Sequence, residues 1–262
     1  MSSLFRLLVC ILFCTAIEAH ASDFWCIRGP HSLTVGPEVY YTHRTREGGS
    51  KQKGVLYGGE FCYERLRRSA LYWGVEGYYA AGTLKGHDGV DRKIRSKKQD
   101  MEIEGRLGYS LKWCWSIPIS FTPYFCGGYF QEINQFVEPT PLTYKIKDYF
   151  PFIGAGFLSR FYVTPTFSVG VNFKANYMLG AKSRITDSSL DESIRLIIED
   201  KFFYEVELPL TYSYCIRSCQ WETSFVPFFR YRQYGHHEGF PFDYLETRYQ
   251  IYGAKLLWRY IF

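Results

Sequence analysis

The chain has 262 residues, 47% hydrophobic and 19% aromatic, with a formal net charge of +5. That length suits one domain, and the mild, scattered charge excludes a dedicated nucleic-acid binder. After residue 21 no apolar run reaches the roughly 20 residues a membrane-spanning helix needs.

The N-terminus carries one basic residue, Arg6, then an apolar run over 7–17 and a small-residue site, Ala19-His20-Ala21. This pattern predicts a secretory signal peptide over 1–21 and a mature domain over 22–262. Phe13 is too bulky before Cys14 for a lipoprotein signal.

From Leu33 onward, side chains alternate in character with a period of two, the signature of strands. The fourth strand is the cleanest. Met101, Ile103, Leu107, Tyr109, Leu111 and Trp113 alternate with Glu102, Glu104, Arg106, Gly108, Ser110 and Lys112. The pattern predicts ten strands, over 33–41, 55–64, 71–81, 101–113, 119–131, 148–160, 167–179, 202–214, 221–232 and 248–262. The sixth is the weakest, because Phe150 and Phe152 fall on its polar face. Long connections over 43–53, 82–100, 132–147, 180–198 and 235–245 alternate with short turns such as 65–69, 114–118 and 215–219. Residues 191–198 read as a helical turn inside the fourth long loop.

Even strand number, alternating loop length and strands of about 9–11 residues predict an all-β fold. It is an antiparallel up-and-down transmembrane β-barrel of ten strands, with long extracellular loops and short periplasmic turns. A secreted sandwich also alternates. It needs neither the loop alternation nor large aromatics at the strand ends, such as Tyr41, Tyr63, Trp73, Trp113, Tyr214, Trp221, Trp258 and Tyr260.

The last strand carries a family resemblance. Phe262, Tyr260, Trp258 and Leu256 form an apolar face, with Arg259 and Lys255 on the other. This resembles the closing strand of Gram-negative outer-membrane β-barrel proteins. The resemblance implies an outer-membrane location, contact with lipid and lipopolysaccharide, and recognition of the terminal aromatic by the barrel-assembly machinery.

By parity the inner face holds Glu60, Glu76, Glu102, Glu104, Arg106, Lys174, Glu205, Glu207, Arg230, Arg232 and Lys255. Buried charges must pair, so these are expected to form a network that largely plugs the lumen, since about ten strands enclose little space. The alternative is a narrow, porin-like ion or solute channel. Two N-terminal loops are basic. Arg44, Arg46, Lys51 and Lys53 lie in one, and Arg92, Lys93, Arg95, Lys97 and Lys98 in the other. They are the candidate anion-binding surface, for lipopolysaccharide phosphates or sulfated host glycans.

No cofactor or metal is expected, and the chain reads as a non-enzyme. Omptin proteases share the strand number and need a His–Asp pair and an Asp pair near the rim. Here His87-Asp88 and His236-His237 fall in loops. Barrel lipid-A deacylases use a Ser/His pair on a strand, whereas His31-Ser32 lies at the periplasmic end. An omptin-like surface protease therefore stands as a further alternative. Six cysteines follow the signal peptide, an even number in an exported chain, and Cys215, Cys219, Cys26 and Cys114 at the periplasmic end are disulfide candidates. A Cys215–Cys219 bridge across one turn is one option.

Overall fold

The computed structural model describes residues 30–66, 70–114, 118–141, 144–187, 193–216, 219–237 and 244–262. The expected signal peptide and Cys26 lie outside them. The described chain forms fourteen strand segments. They are β1 (His31–Arg46), β2 (Lys51–Arg65), β3 (Ala70–His87), β4 (Lys93–Cys114), β5 (Pro118–Val137), β6 (Tyr144–Tyr162) and β7 (Phe167–Val169). Then come β8 (Asn172–Met178), β9 (Lys182–Asp187), β10 (Ser193–Ile197), β11 (Phe202–Glu207), β12 (Leu210–Ile216), β13 (Cys219–Tyr234) and β14 (Thr247–Ile261). All pairings are antiparallel, and β14 returns to β1 with Tyr252 opposite Tyr41, so the sheet closes into a ring. Closure leaves no edge whose backbone groups would go unpaired in hydrocarbon.

Fourteen segments, rather than ten unbroken strands, still make ten staves. The pairs Ile197↔Lys182, Phe202↔Tyr177 and Leu210↔Val169 keep one register, so β7–β9 and β10–β12 are the two arms of a single hairpin. One interruption is Pro209, which lacks an N–H for the ladder; its carbonyl accepts the Gly170 N–H at 2.8 Å. Another is Gly180, at φ 62°. Phe152 pairs with Met178 but Tyr149 with Lys182, so one extra residue bulges out around Gly180.

The strands run well past their expected ends on one side of the barrel. The loops expected over 43–53 and 82–100 are mostly paired hairpin, with turns only at 47–50 and 88–92. Residues 193–197, expected within a helical turn, are strand β10, held by β9. The reason is a phase change. In these extensions the apolar residues Leu84, Ile94, Phe136, Ile146 and Leu196 are buried inside. Their neighbours Lys53, Lys85, Arg95 and Lys145 face out. This is the rule of a water-exposed sheet.

Nearer the other end the rule inverts. Val35, Phe61, Val75, Ile103, Phe125, Ile153, Phe225 and Leu256 are exposed, while Glu38, Glu60, Glu104 and Lys255 are buried. Phe125 is 77% exposed. A continuous apolar band of this kind is what a barrel presents to acyl chains. Nine outward tyrosines mark its upper rim: Tyr41, Tyr57, Tyr79, Tyr129, Tyr149, Tyr177, Tyr204, Tyr231 and Tyr252. Tyr63, Trp73, Trp113, Trp221, Trp258, Tyr260 and Phe262 mark the lower one. There Trp221 meets Tyr260 at 4.9 Å and Tyr63 meets Trp73 at 5.4 Å between ring centroids. The closing strand ends in this girdle: Phe262 stacks on His31, and their backbones exchange two hydrogen bonds, of 3.2 and 2.9 Å.

Candidate functional site

The inner face decides whether anything passes through the barrel. The eleven expected lumen residues all point inward and do meet. Lys174 Nζ lies 3.0 Å from Glu102, 3.3 Å from Glu104, 3.4 Å from Glu205 and 3.8 Å from Glu76. Lys255 Nζ lies 2.5 Å from both Glu60 and Glu207. Arg230 bridges Glu38 and Glu205 at 2.8 Å each, and Arg106 bridges Glu76 and Glu104 at 2.7 and 2.5 Å. Each cation thus serves at least two carboxylates, and several carboxylates, Glu76, Glu104 and Glu205 among them, are shared by two cations. Below the network, Arg160 and Arg259 hold Glu222 at 2.8 and 3.4 Å, and Arg259 also binds Glu64. Between the two layers lies a cavity of about 120 Å³, lined in part by Thr34, Cys62, Thr122 and Thr211.

Above the network the lumen is filled by rings, which the sequence had suggested only as an irregularity. Phe150 and Phe152 are buried there, packed with Phe130, Phe203 and Tyr234. Arg232 stacks on Phe130, its Cζ 3.6 Å from the ring centroid, and donates to Tyr78 Oη at 3.2 Å. Higher still, Asp100, Glu132 and Asp148 stand directly opposite one another on β4, β5 and β6. Lys98 bridges the first two at 3.0 and 2.6 Å, and Tyr40, Tyr234, Tyr249 and Tyr244 donate hydroxyls to the three carboxylates. Parity would have found this row, had strands β4–β6 been extended upward.

The nine expected anion-binding residues divide. Lys51, Lys53, Lys93, Arg95 and Lys97 are exposed on the outer face. Arg44 and Lys98 are not available. Both face inward and are buried, Arg44 donating to Gln52 at 2.6 Å and Lys98 held by its carboxylates. They alternate with outward neighbours because this stretch is strand, not loop. Arg46 lies over the Tyr244 ring at 5.1 Å. Arg92 closes a turn onto Asp88 at 2.7 Å. The Asp88 carboxyl is slightly desolvated, yet hydrogen bonds from Arg92 and Val90 hold it below the usual carboxylate range.

Register sets the outward cations in rows. His43, Lys53, Lys85 and Arg95 are successive cross-strand neighbours on β1–β4; above them come Thr45, Lys51, His87 and Lys93. Lys97, Gln135 and Lys145 continue around β4–β6. Lys147, Arg184 and Arg195 are neighbours on β6, β9 and β10, with Lys182 one step below. These rows contain no carboxylate. The sequence reading missed Lys145, Lys147, Lys182, Arg184 and Arg195 as part of one surface, because it treated the extensions as separate loops.

The cysteines correct another expectation. Ile216 pairs with Cys219, and Cys215 with Gln220. Residues in one row share a face, so Cys215 and Cys219 sit on opposite faces of their hairpin and do not bridge. Cys219 carries a free thiol 3.4 Å from Tyr260 Oη, and Cys62 and Cys126 are free and buried. Cys215 is disulfide-bonded. The side chains of Cys26 and Cys114 lie outside the described residues.

No family model and no curated protein matches the chain. Among solved structures it is similar to the outer membrane protease OmpT from Escherichia coli, at 10% identity and TM-score 0.53, over 88% of this chain and 96% of that one. It is also similar to the translocator domain of the autotransporter NalP from Neisseria meningitidis, at 11% identity and TM-score 0.48, over 98% and 97% of the two chains. At such identities the likeness to OmpT is one of fold. The fold is that of Gram-negative outer-membrane β-barrels.

Proposed function

We propose that this chain is a non-enzymatic outer-membrane barrel that binds anionic groups on the outer surface of its extracellular hairpins, with a lumen closed to ions. One observation carries the reading: the outward rows on β2–β4 and on β6, β9 and β10 hold lysines and arginines and no carboxylate. The filled lumen supports the second half, because the charge network and the ring plug lie in series along it. The candidate catalytic groups are otherwise engaged, Asp88 by Arg92 and His237 by the Ile197 carbonyl at 2.9 Å.

Retention of the folded protein on immobilised heparin tests binding. Changing Lys53, Lys85, Arg95 and Lys97 to Gln is expected to lower the eluting salt concentration. Unchanged elution removes the reading. Planar-bilayer recording is expected to show no discrete current steps; steady conductance would favour the channel alternative, whose support is the polar cavity on the periplasmic side. Turnover of a peptide substrate would restore the protease alternative.

A further inference from the structure

The ring of strands is complete at the level of the membrane but not above it. β13 has β14 on one side along its length, and on the other it has β12 and then β11, only as far as Tyr231. β10 stands higher on that same side, and among the described residues it pairs with β9 alone. Ile197 shares a row with the rim residue Tyr149, through Lys182, and Ser193 lies four residues further from the membrane.

Hydrogen bonds fix which way the backbone of β10 faces. Ile198 N–H donates to Ala181, just before β9, at 3.0 Å. Glu199 N–H donates instead to the His236 carbonyl at 3.3 Å, and the Ile197 carbonyl accepts from His237 Nδ1 at 2.9 Å. Successive residues of a strand face opposite neighbours, so Ser193, Arg195 and Ile197 turn their N–H and C=O groups away from β9. Glu199 opposite His236 continues the register of Tyr204 opposite Tyr231, in which 196 would face 239 and 193 would face 242. Only six residues separate His237 from its partner Tyr244. Even a two-residue hairpin turn would therefore stop β13 at 239, below Arg195 and Ser193.

An edge of free donors and acceptors is a template for another strand. Its two faces say what that strand carries. Inside, Leu196 is buried and Ile194 packs on the core. Outside, Arg195 is exposed opposite Arg184, with Lys147 next in the row. Apolar side chains suit the first face and acidic ones the second. Two copies in one membrane would offer the same edge with β10 running towards the lipid in both. Like edges pair only when the strands run antiparallel, so a second copy does not fit.

We propose that the β10 edge is a peptide-docking site, which takes an extended segment of another protein outside the cell, acidic and apolar residues alternating, as an added antiparallel strand. Arg184 and Arg195 also belong to the anion-binding rows, but the backbone edge is a separate feature and selects for polypeptide. The acidic residues of the added strand lie on the outer face, directly opposite Ser193, Arg195 and Ile197, so theirs are the N–H groups that meet β10.

The test uses the full mature chain, folded in detergent, and the fluorescence anisotropy of a short labelled peptide of alternating Val and Glu. Two further peptides carry the same side chains, one N-methylated at every Glu and one at every Val. Wild type is expected to bind the plain and Val-methylated peptides, and the Glu-methylated one at least about tenfold more weakly. Arg195→Gln keeps the N–H and weakens binding by no more than about fivefold, the scale of one cross-strand charge pair. Arg195→Pro, tolerated where an edge N–H faces away from the sheet, weakens it at least about tenfold further. Heat-modifiable gel migration reads the folding of each variant. Equal binding of the two methylated peptides overturns the inference, as does folded Arg195→Pro that binds like Arg195→Gln. Wild type that is retained on heparin but binds none of the peptides overturns it and leaves the anion-binding reading in place.

Discussion

Replacing Lys255 by Met removes a buried cation from between three carboxylates. Its ammonium lies 2.5 Å from Glu60, 2.5 Å from Glu207 and 3.5 Å from Glu205. Glu205 keeps Arg230 at 2.8 Å and Lys174 at 3.4 Å, and Glu207 keeps the Asn172 amide at 3.0 Å. Among the described residues Glu60 has no other ion-pair partner. The loss is therefore that of one broken buried pair, about 3–5 kcal/mol, rather than three times that. Glu60→Gln alone leaves Lys255 with two carboxylates and costs about 1 kcal/mol, the scale of one hydrogen bond. Glu60→Gln added to Lys255→Met recovers most of the loss, because the stranded charge is gone. Reversible urea unfolding in lipid vesicles, followed by tryptophan fluorescence, measures all three. Equal penalties for Lys255→Met and Glu60→Gln, or no recovery in the double variant, would refute the reasoning.

Phe150→Ala opens a void in the ring plug, where Phe150 packs on Phe130, Phe203 and Tyr234. The same unfolding assay should show a loss of about 3–5 kcal/mol. Gly58→Val should lower the yield of folded barrel, because an added Cβ would run into the Tyr79 carbonyl and Ala80 of the next stave; unchanged yield on heat-modifiable gels contradicts the β2–β3 register. Deleting Phe262 removes both backbone bonds to His31 at the β1–β14 seam and should reduce assembled protein in the envelope, read on the same gels. Cys219→Ser should leave the Cys215 disulfide intact by mass mapping of the oxidised protein; its loss would mean that Cys219 is the partner.

The alternation of β4 was legible because over 101–113 one face is apolar except for Gly105, while the other carries Glu102, Glu104, Arg106, Ser110 and Lys112. The same parity placed the lumen charges, Glu60 through Lys255, on the inside. The extensions were hidden by their own chemistry. Over 93–98 the sequence Lys-Ile-Arg-Ser-Lys-Lys alternates, yet its apolar phase is opposite to that of 101–113, since water rather than lipid lies outside. A reader searching for greasy residues on the outer parity sees a loop there. Lys98 shows the cost: counted as a loop cation, it is a fully buried partner of Glu132. The upper ring plug was obscured for a related reason. Phe150 and Phe152 share the inward parity with Asp148, and a lumen expected to be polar made them look like a defect of β6.

The inside-outside assignment of β4 beyond the membrane carries both the closed lumen and the basic belt. Ser96 is fully buried and hydrogen-bonded by Gln52 at 3.0 Å, while its neighbours Arg95 and Lys97 face out. Single cysteines at 95, 96 and 97 can be treated with a membrane-impermeant maleimide on intact cells, against the labelling of the unsubstituted chain. Strong labelling of Arg95→Cys and Lys97→Cys with protection of Ser96→Cys is the predicted result. Equal labelling at all three positions would show a solvated loop there and contradict the assignment.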